Sequence, residues 1–104
     1  MILYGLKSCD TCRKALKSLP EATFVDVRAE GVPDQVLKSA YADLGSALLN
    51  TRSTTWRELS DEARGQEPIE LLKAHPTVMK RPLIEADGRF YLGWTKATQE
   101  ALLN

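Results

Sequence analysis

The sequence predicts an α/β chain of order β-α-β, a helical block, then β-β-α. Three observations carry that order. The apolar run Ile2-Leu3-Tyr4 is followed by an amphipathic stripe and then by the β-rich run Thr23 to Val27. Helical signals dominate from Pro33 to His75. Near the end, Asp87-Gly88 sits between two short apolar segments, a strong two-residue hairpin signal.

Ile2-Leu3-Tyr4 is apolar throughout and reads as a buried strand, with Gly5 to Ser8 as a loop. A helix is expected from Asp10 to Leu19. Cys12, Ala15, Leu16 and Leu19 fall at i, i+3, i+4 and i+7, and Pro20 ends it. Thr23 to Val27 is rich in β-branched residues and reads as a second strand. Pro33 suits a first helical position. Val36, Leu37, Ala40, Tyr41 and Leu44 form the stripe of the helix it opens, with Gly45 as C-terminal cap. Ala47 to Leu49 reads as a short helical turn, and NTRSTTWREL as a polar loop running into a helical piece. Ser60, with Asp61 and Glu62 behind it, has the form of an N-cap with acids in the first turn. Pro68 opens a helix to about Ala74. Leu83 to Ala86 and Arg89 to Leu92 form the hairpin, and Thr95 caps a final helix carrying Ala97, Ala101 and Leu102.

Lys plus Arg number 14 and Asp plus Glu number 14, so the chain lacks the basic excess of a general nucleic-acid or membrane-surface binder. Locally the balance differs. Lys7, Arg13, Lys14 and Lys17 stand against Asp10 alone around the cysteines. Met1 opens directly on a strand-like run with no signal-like segment, and no apolar run spans a bilayer. The expected location is the cytoplasm, where a close cysteine pair is more often redox-active or metal-binding than a structural disulfide.

The two cysteines form C-x-x-C at the junction of the first strand and first helix. Cys9 is placed at the helix N-terminus, where unpaired N–H groups and the helix dipole favour an anion. With the nearby cations, these lower the pKa of a thiol. Cys12, one turn on, lies on the apolar stripe and is expected to be more buried. The pair then reads as an exposed attacking thiol and a protected resolving thiol. Two other readings compete. A structural zinc site wants four ligands, and the chain has two cysteines and one distant histidine, His75. An inert pair of small core residues is the other. The reactive thiol is favoured, and no metal is expected.

Lys80-Arg81-Pro82 is a second constellation. The residue before proline is pushed toward extended backbone, and a cis Arg81-Pro82 bond presents backbone and guanidinium together. By residue type alone, a solvated arginine at a strand entry explains it as well. Arg52 is a third candidate, with a surface ion pair as the simpler account. His75 reads as a helix C-terminal residue. Trp56, Trp94, Tyr41 and Phe90 read as core, with Trp94 placed to edge a cleft.

Four segments, YGLKSCDTCRKAL, ALLNTRSTTWREL, HPTVMKRPLI and YLGW, occur in this order and spacing. Together they resemble the ArsC-like family, which groups arsenate reductases, Spx regulators and small YffB-type proteins. The resemblance covers essentially the whole chain and is nearest the YffB type. It implies a thioredoxin-like fold: a mixed four-stranded sheet with an α-helical insertion between the second strand and the final hairpin. One domain over residues 1–104 is implied, with the insertion at about 33–75. It also implies that Cys9 is the nucleophile, that Arg81 is the arginine before a cis-proline, Pro82, and that Arg52 belongs to a shared TR motif. Arsenate reductases of the family hold their oxyanion with three arginines. Arg81 matches the second. Arg52 stands two places from the first, with Asn50 at the aligned position. The third falls near Gly93-Trp94, where this chain has no arginine.

The expectation is a thiol-dependent reductase acting on a small disulfide or oxyanion. Cys9 attacks, and Cys12 or glutathione resolves. Glutathione is the co-substrate, a glutaredoxin-type thiol system the partner, and no cofactor is tightly bound. Arg81 and Arg52 would hold the anionic substrate, with the backbone N–H groups of Asp10 and Thr11, and Lys7 and Arg13 would add to the field. Two alternatives stand beside it: arsenate reduction proper, and an Spx-like redox-sensing regulator without turnover, for which RNA polymerase is the implied partner.

Overall fold

The computed structural model describes residues 1–103. In chain order the elements are β1 (Ile2–Gly5), α1 (Asp10–Ser18), β2 (Thr23–Asp26), α2 (Val27–Glu30) and α3 (Asp34–Leu44). A 3-10 turn (Gly45–Leu48), α4 (Thr54–Glu58), α5 (Asp61–Arg64), α6 (Pro68–Ala74) and a second 3-10 turn (Pro76–Val78) follow. The chain closes with β3 (Leu83–Ala86), β4 (Arg89–Leu92) and α7 (Lys96–Leu103). These elements form two compact units. One comprises Met1–Glu30 and the segment from Arg81 onward; the other is Gly31–Lys80.

In the first unit the sheet order is β2-β1-β3-β4. β1 runs parallel to β2, as a strand-helix-strand unit requires, and antiparallel to β3, so the sheet is mixed. Leu3 lies opposite Phe24 on one side and Ile84 on the other. Leu3 and Ile84 form a buried cluster with Cys12, Ala15 and Leu19 of the α1 stripe, against which Cys9, Leu16, Tyr91, Trp94 and Leu102 pack. The expected register of α1 is therefore the observed one. Its C-cap, Leu19, donates its N–H to the carbonyls of Ala15 and Leu16, and Pro20 cannot continue the helix. Asp87 and Gly88 both have positive φ, 52° and 77°, as the tight hairpin turn needs.

Several elements differ from the sequence expectation. Gly5 belongs to β1, pairing with Asp26, and is not loop. Val27 begins α2 instead of ending β2, because the Asp26 carboxylate accepts from the N–H groups of Arg28 and Ala29 and turns the chain. In α7, Ala97 and Ala101 are exposed; Thr98 is the buried residue and Leu102 is half-buried. The buried threonine is satisfied, since Thr95 Oγ1 accepts from the Thr98 N–H and bonds to its hydroxyl. Trp56, Trp94, Tyr41 and Phe90 are half-buried, not core.

The second unit is helical. Leu37 and Ala40 of α3 and Leu71 and Leu72 of α6 are buried, with Leu48, Val78 and Met79. Lys73 on α6 pairs with Asp34 on α3. Ser60 caps α5 by accepting from the Ala63 N–H. Pro68 opens α6, but the cap is Glu67, whose carboxylate accepts from Ile69 and Glu70. Gly45 ends α3 with φ of 62°. Among the described residues no helix is long and apolar enough to cross a membrane.

Replacing Ile84 by alanine should test the shared core directly. Its side chain is fully buried between β1 and α1. The expected loss is about 3 kcal/mol of unfolding free energy, read as a lower urea midpoint with an unchanged slope.

Candidate active site

β1 ends at Gly5, and the turn to α1 is tied by the Cys9 N–H donating to the Leu6 carbonyl at 3.1 Å. Cys9 is the N-cap residue of α1, with the extended backbone (φ −85°, ψ 117°) usual there. Its carbonyl accepts the first intrahelical bond, from Arg13 at 3.0 Å. Serine or aspartate commonly fills such a position; here a sulfur does. No N–H closes a full hydrogen bond on the neutral side chain. The sulfur is half-buried.

Burial alone opposes ionisation of Cys9, but the opposing influences together win. The Cys12 N–H, the Cys12 thiol, the Thr11 N–H and the Arg81 guanidinium all favour the thiolate, so the Cys9 pKa lies below the ordinary thiol value. Cys12 is the opposite case. It is fully buried, and burial, with a smaller push from the neighbouring Cys9, outweighs the Leu6 N–H and the Arg81 charge that favour the anion and raises its thiol pKa to about 12. One thiol thus ionises more readily than an ordinary cysteine, and its buried neighbour less readily. Both are free thiols.

Arg81 joins this site from the segment ahead of β3. It is half-buried, with its Nε shielded from solvent, and its charge acts on both sulfurs. The Arg81-Pro82 bond is cis. Pro82 is buried, and its carbonyl accepts from the Gly93 N–H at 2.8 Å. That bond ties the turn after β4 to the Arg81 segment and places Trp94 against the cluster that holds Cys9 and Cys12.

The remaining predicted residues divide. Thr11 contributes its N–H to Cys9. The Asp10 and Arg13 side chains pair with each other on the exposed face of α1, so Arg13 is engaged locally. Arg52 lies in the second unit, exposed, in a turn where the Asn50 side-chain oxygen accepts from the Arg52 N–H. His75 is the C-cap of α6. Among the described residues, no group of three or more His, Cys, Asp or Glu could hold a metal ion. Residue-type reasoning did not single out Gly5. A Cβ there would fall 2.5 Å from the Cys12 sulfur. The available signal was a glycine directly after an apolar strand and seven residues before the second cysteine.

Fold and site together define a thioredoxin-like protein with an ionisable thiol at the head of its first helix. The chain belongs to the ArsC family, which it matches over residues 4–102. An uncharacterized protein of Haemophilus influenzae is 35% identical to it, covering 95% of each chain. The global transcriptional regulator Spx 2 of Bacillus cereus is 28% identical over 92% of this chain and 81% of its own. Among solved structures, a YffB protein superposes with a TM-score of 0.88 at 34% identity, covering 99% of this chain and 98% of that one. An arsenate reductase related protein from Brucella melitensis superposes with a TM-score of 0.70 at 33% identity, covering 98% and 92%.

Proposed function

We propose that the protein is a thiol-dependent reductase of glutathione-linked disulfides, with Cys9 as the nucleophile. The observation that carries this reading is the convergence on one half-buried sulfur of two backbone N–H groups, a neutral thiol and a guanidinium. That arrangement raises the thiolate fraction of Cys9 above that of an ordinary thiol.

The Cys9 thiolate attacks the glutathione sulfur of a mixed disulfide. A Cys9–glutathione bond forms as the substrate S–S bond breaks, and the departing thiolate takes a proton from water. A second glutathione, as its thiolate, attacks the bound glutathione sulfur. Glutathione disulfide leaves and the Cys9 thiolate is regenerated. The net change is one thiol reduced from the mixed disulfide and one glutathione oxidised. Arg81 offers a charge partner for a carboxylate of the bound tripeptide.

A disulfide is favoured over arsenate by the donors present. A multiply charged oxyanion needs several aligned donors. The first unit brings one arginine, Arg81, to the thiols, and the position near Gly93-Trp94 carries none. The test is NADPH oxidation in a coupled assay with glutathione and glutathione reductase. The substrate is the mixed disulfide of glutathione and 2-mercaptoethanol, or arsenate in its place. Turnover above background with the disulfide, and none with arsenate, is expected. Turnover with arsenate alone would replace this reading with arsenate reduction. A second reading, a redox-sensing regulator, is favoured by the paired thiols and the likeness to Spx 2. Absence of turnover with either substrate, in protein whose Cys9 is reactive, would select it.

A further inference from the structure

We propose that Gly5 is a positioning residue for the second thiol: its bare Cα is the floor on which the Cys12 sulfur rests, and that placement holds Cys12 against the Cys9 sulfur. The inference rests on the reading of Cys9 as the nucleophile.

Glycine is not required at position 5 by backbone conformation. Gly5 lies in regular β1, paired with Asp26, and the glycines with positive φ are Gly31, Gly45, Gly88 and Gly93. A glycine inside a strand carries an entropic cost and packs nothing. What it permits is close approach. A Cβ at Gly5 would lie 2.5 Å from Cys12 Sγ, 3.3 Å from Cys12 Cβ and 3.3 Å from Leu3 Cδ2. The other glycines would meet nothing nearer than 3.5 Å.

The sulfur has no easy retreat. Cys12 is fully buried among Leu3, Ala15, Leu19 and Ile84, and helix geometry limits its rotamers. A methyl at position 5 must therefore move the sulfur or the strand. Moving the sulfur weakens the hydrogen bond by which the neutral Cys12 thiol supports the Cys9 thiolate. The other groups bearing on Cys9 are the Thr11 and Cys12 N–H groups of α1 and the Arg81 guanidinium. The Asp10–Arg13 pair stands at the same helix end, and Tyr91 of β4 packs on the same cluster.

The experiment follows the pH dependence of Cys9 alkylation by iodoacetamide in wild type, Gly5→Ala, Cys12→Ala and the double variant. Gly5→Ala and Cys12→Ala should each slow Cys9 alkylation at pH 7 by about three- to tenfold, through a higher Cys9 pKa. In the double variant the glycine change should add nothing, because no sulfur remains to displace. A Gly5→Ala protein with an unaltered Cys9 profile, or with effects that add in the double variant, overturns the proposal. If Gly5→Ala fails to fold alone but folds with Cys12→Ala, the sulfur is the obstacle and the proposal stands. Failure in both backgrounds overturns it, since the strand itself then rejects the methyl. A wild-type Cys9 that titrates like an ordinary thiol would instead remove the functional reading beneath it.

Discussion

Cys9→Ser is expected to lower disulfide turnover by about 10³-fold or more while leaving the fold intact. The influences that lower the Cys9 pKa act on a thiol, an acid weak enough to need them and strong enough to respond; a serine hydroxyl is too weak an acid for two N–H groups, one thiol and Arg81 to ionise. The loss is thus chemical. The same substitution is favourable to the helix, because a serine oxygen is a better acceptor for the first-turn N–H groups than a neutral thiol, which closes no cap bond here. Stability should be unchanged or raised by up to about 1 kcal/mol. A dead enzyme with an undiminished urea midpoint is the signature. Activity within tenfold of wild type would remove Cys9 from the chemistry. Cys12→Ser should be the milder change if glutathione resolves the adduct, whereas equal loss in both variants would make an internal disulfide obligatory.

Elements fixed by local chemistry were legible in the sequence. Asp87-Gly88 demands left-handed backbone at two successive residues, and the hairpin forms there. The α1 stripe needs only helical spacing and a terminating proline, and it faces the core as expected. Where a side chain competes for backbone groups, pattern reading failed. Asp26 captures two N–H groups and starts a helix at Val27, inside a run whose composition says strand. In α7 the hydroxyl of Thr98 is satisfied by Thr95, so a polar residue takes the buried place that alanines were expected to fill.

The site shows the same division. C-x-x-C at a strand–helix junction carries its own chemistry, because three residues make almost one helical turn and set both sulfurs on one face. Arg81 is a candidate by its place before Pro82, but residue type explains it equally well as a solvated arginine, and the resemblance to a known family tips the balance. Its approach to the thiols depends on strand pairing across about 80 residues of chain, which no local rule encodes. The role of Gly5 escaped for a related reason. A missing side chain has no pattern of its own until the sulfur beside it is located.

The two thiols should separate cleanly by pH. At pH 7 a thiol pushed up to about 12 has a thiolate fraction of about 10⁻⁵, whereas even an ordinary thiol is ionised to about a few per cent. Iodoacetamide should therefore modify only Cys9 in the folded protein, and both cysteines in denaturant, as peptide mass spectrometry would read. Comparable native rates at Cys9 and Cys12 would contradict the assignment of roles. Stability should follow the same two groups with opposite signs. Cys9 has a folded pKa below its unfolded value, so its contribution is present above the unfolded pKa and is lost as pH falls through the folded one. Cys12 has a folded pKa above its unfolded value of about 8.5, so its contribution is complete below that pH and declines as pH rises toward about 12. The thiol-dependent part of stability thus peaks near the ordinary thiol pKa. Urea unfolding across this range should show the rising limb vanish in Cys9→Ser and the falling limb vanish in Cys12→Ala. A pH profile identical in both variants would mean that the sulfurs are not in the distinct environments that make one a nucleophile and the other its protonated neighbour.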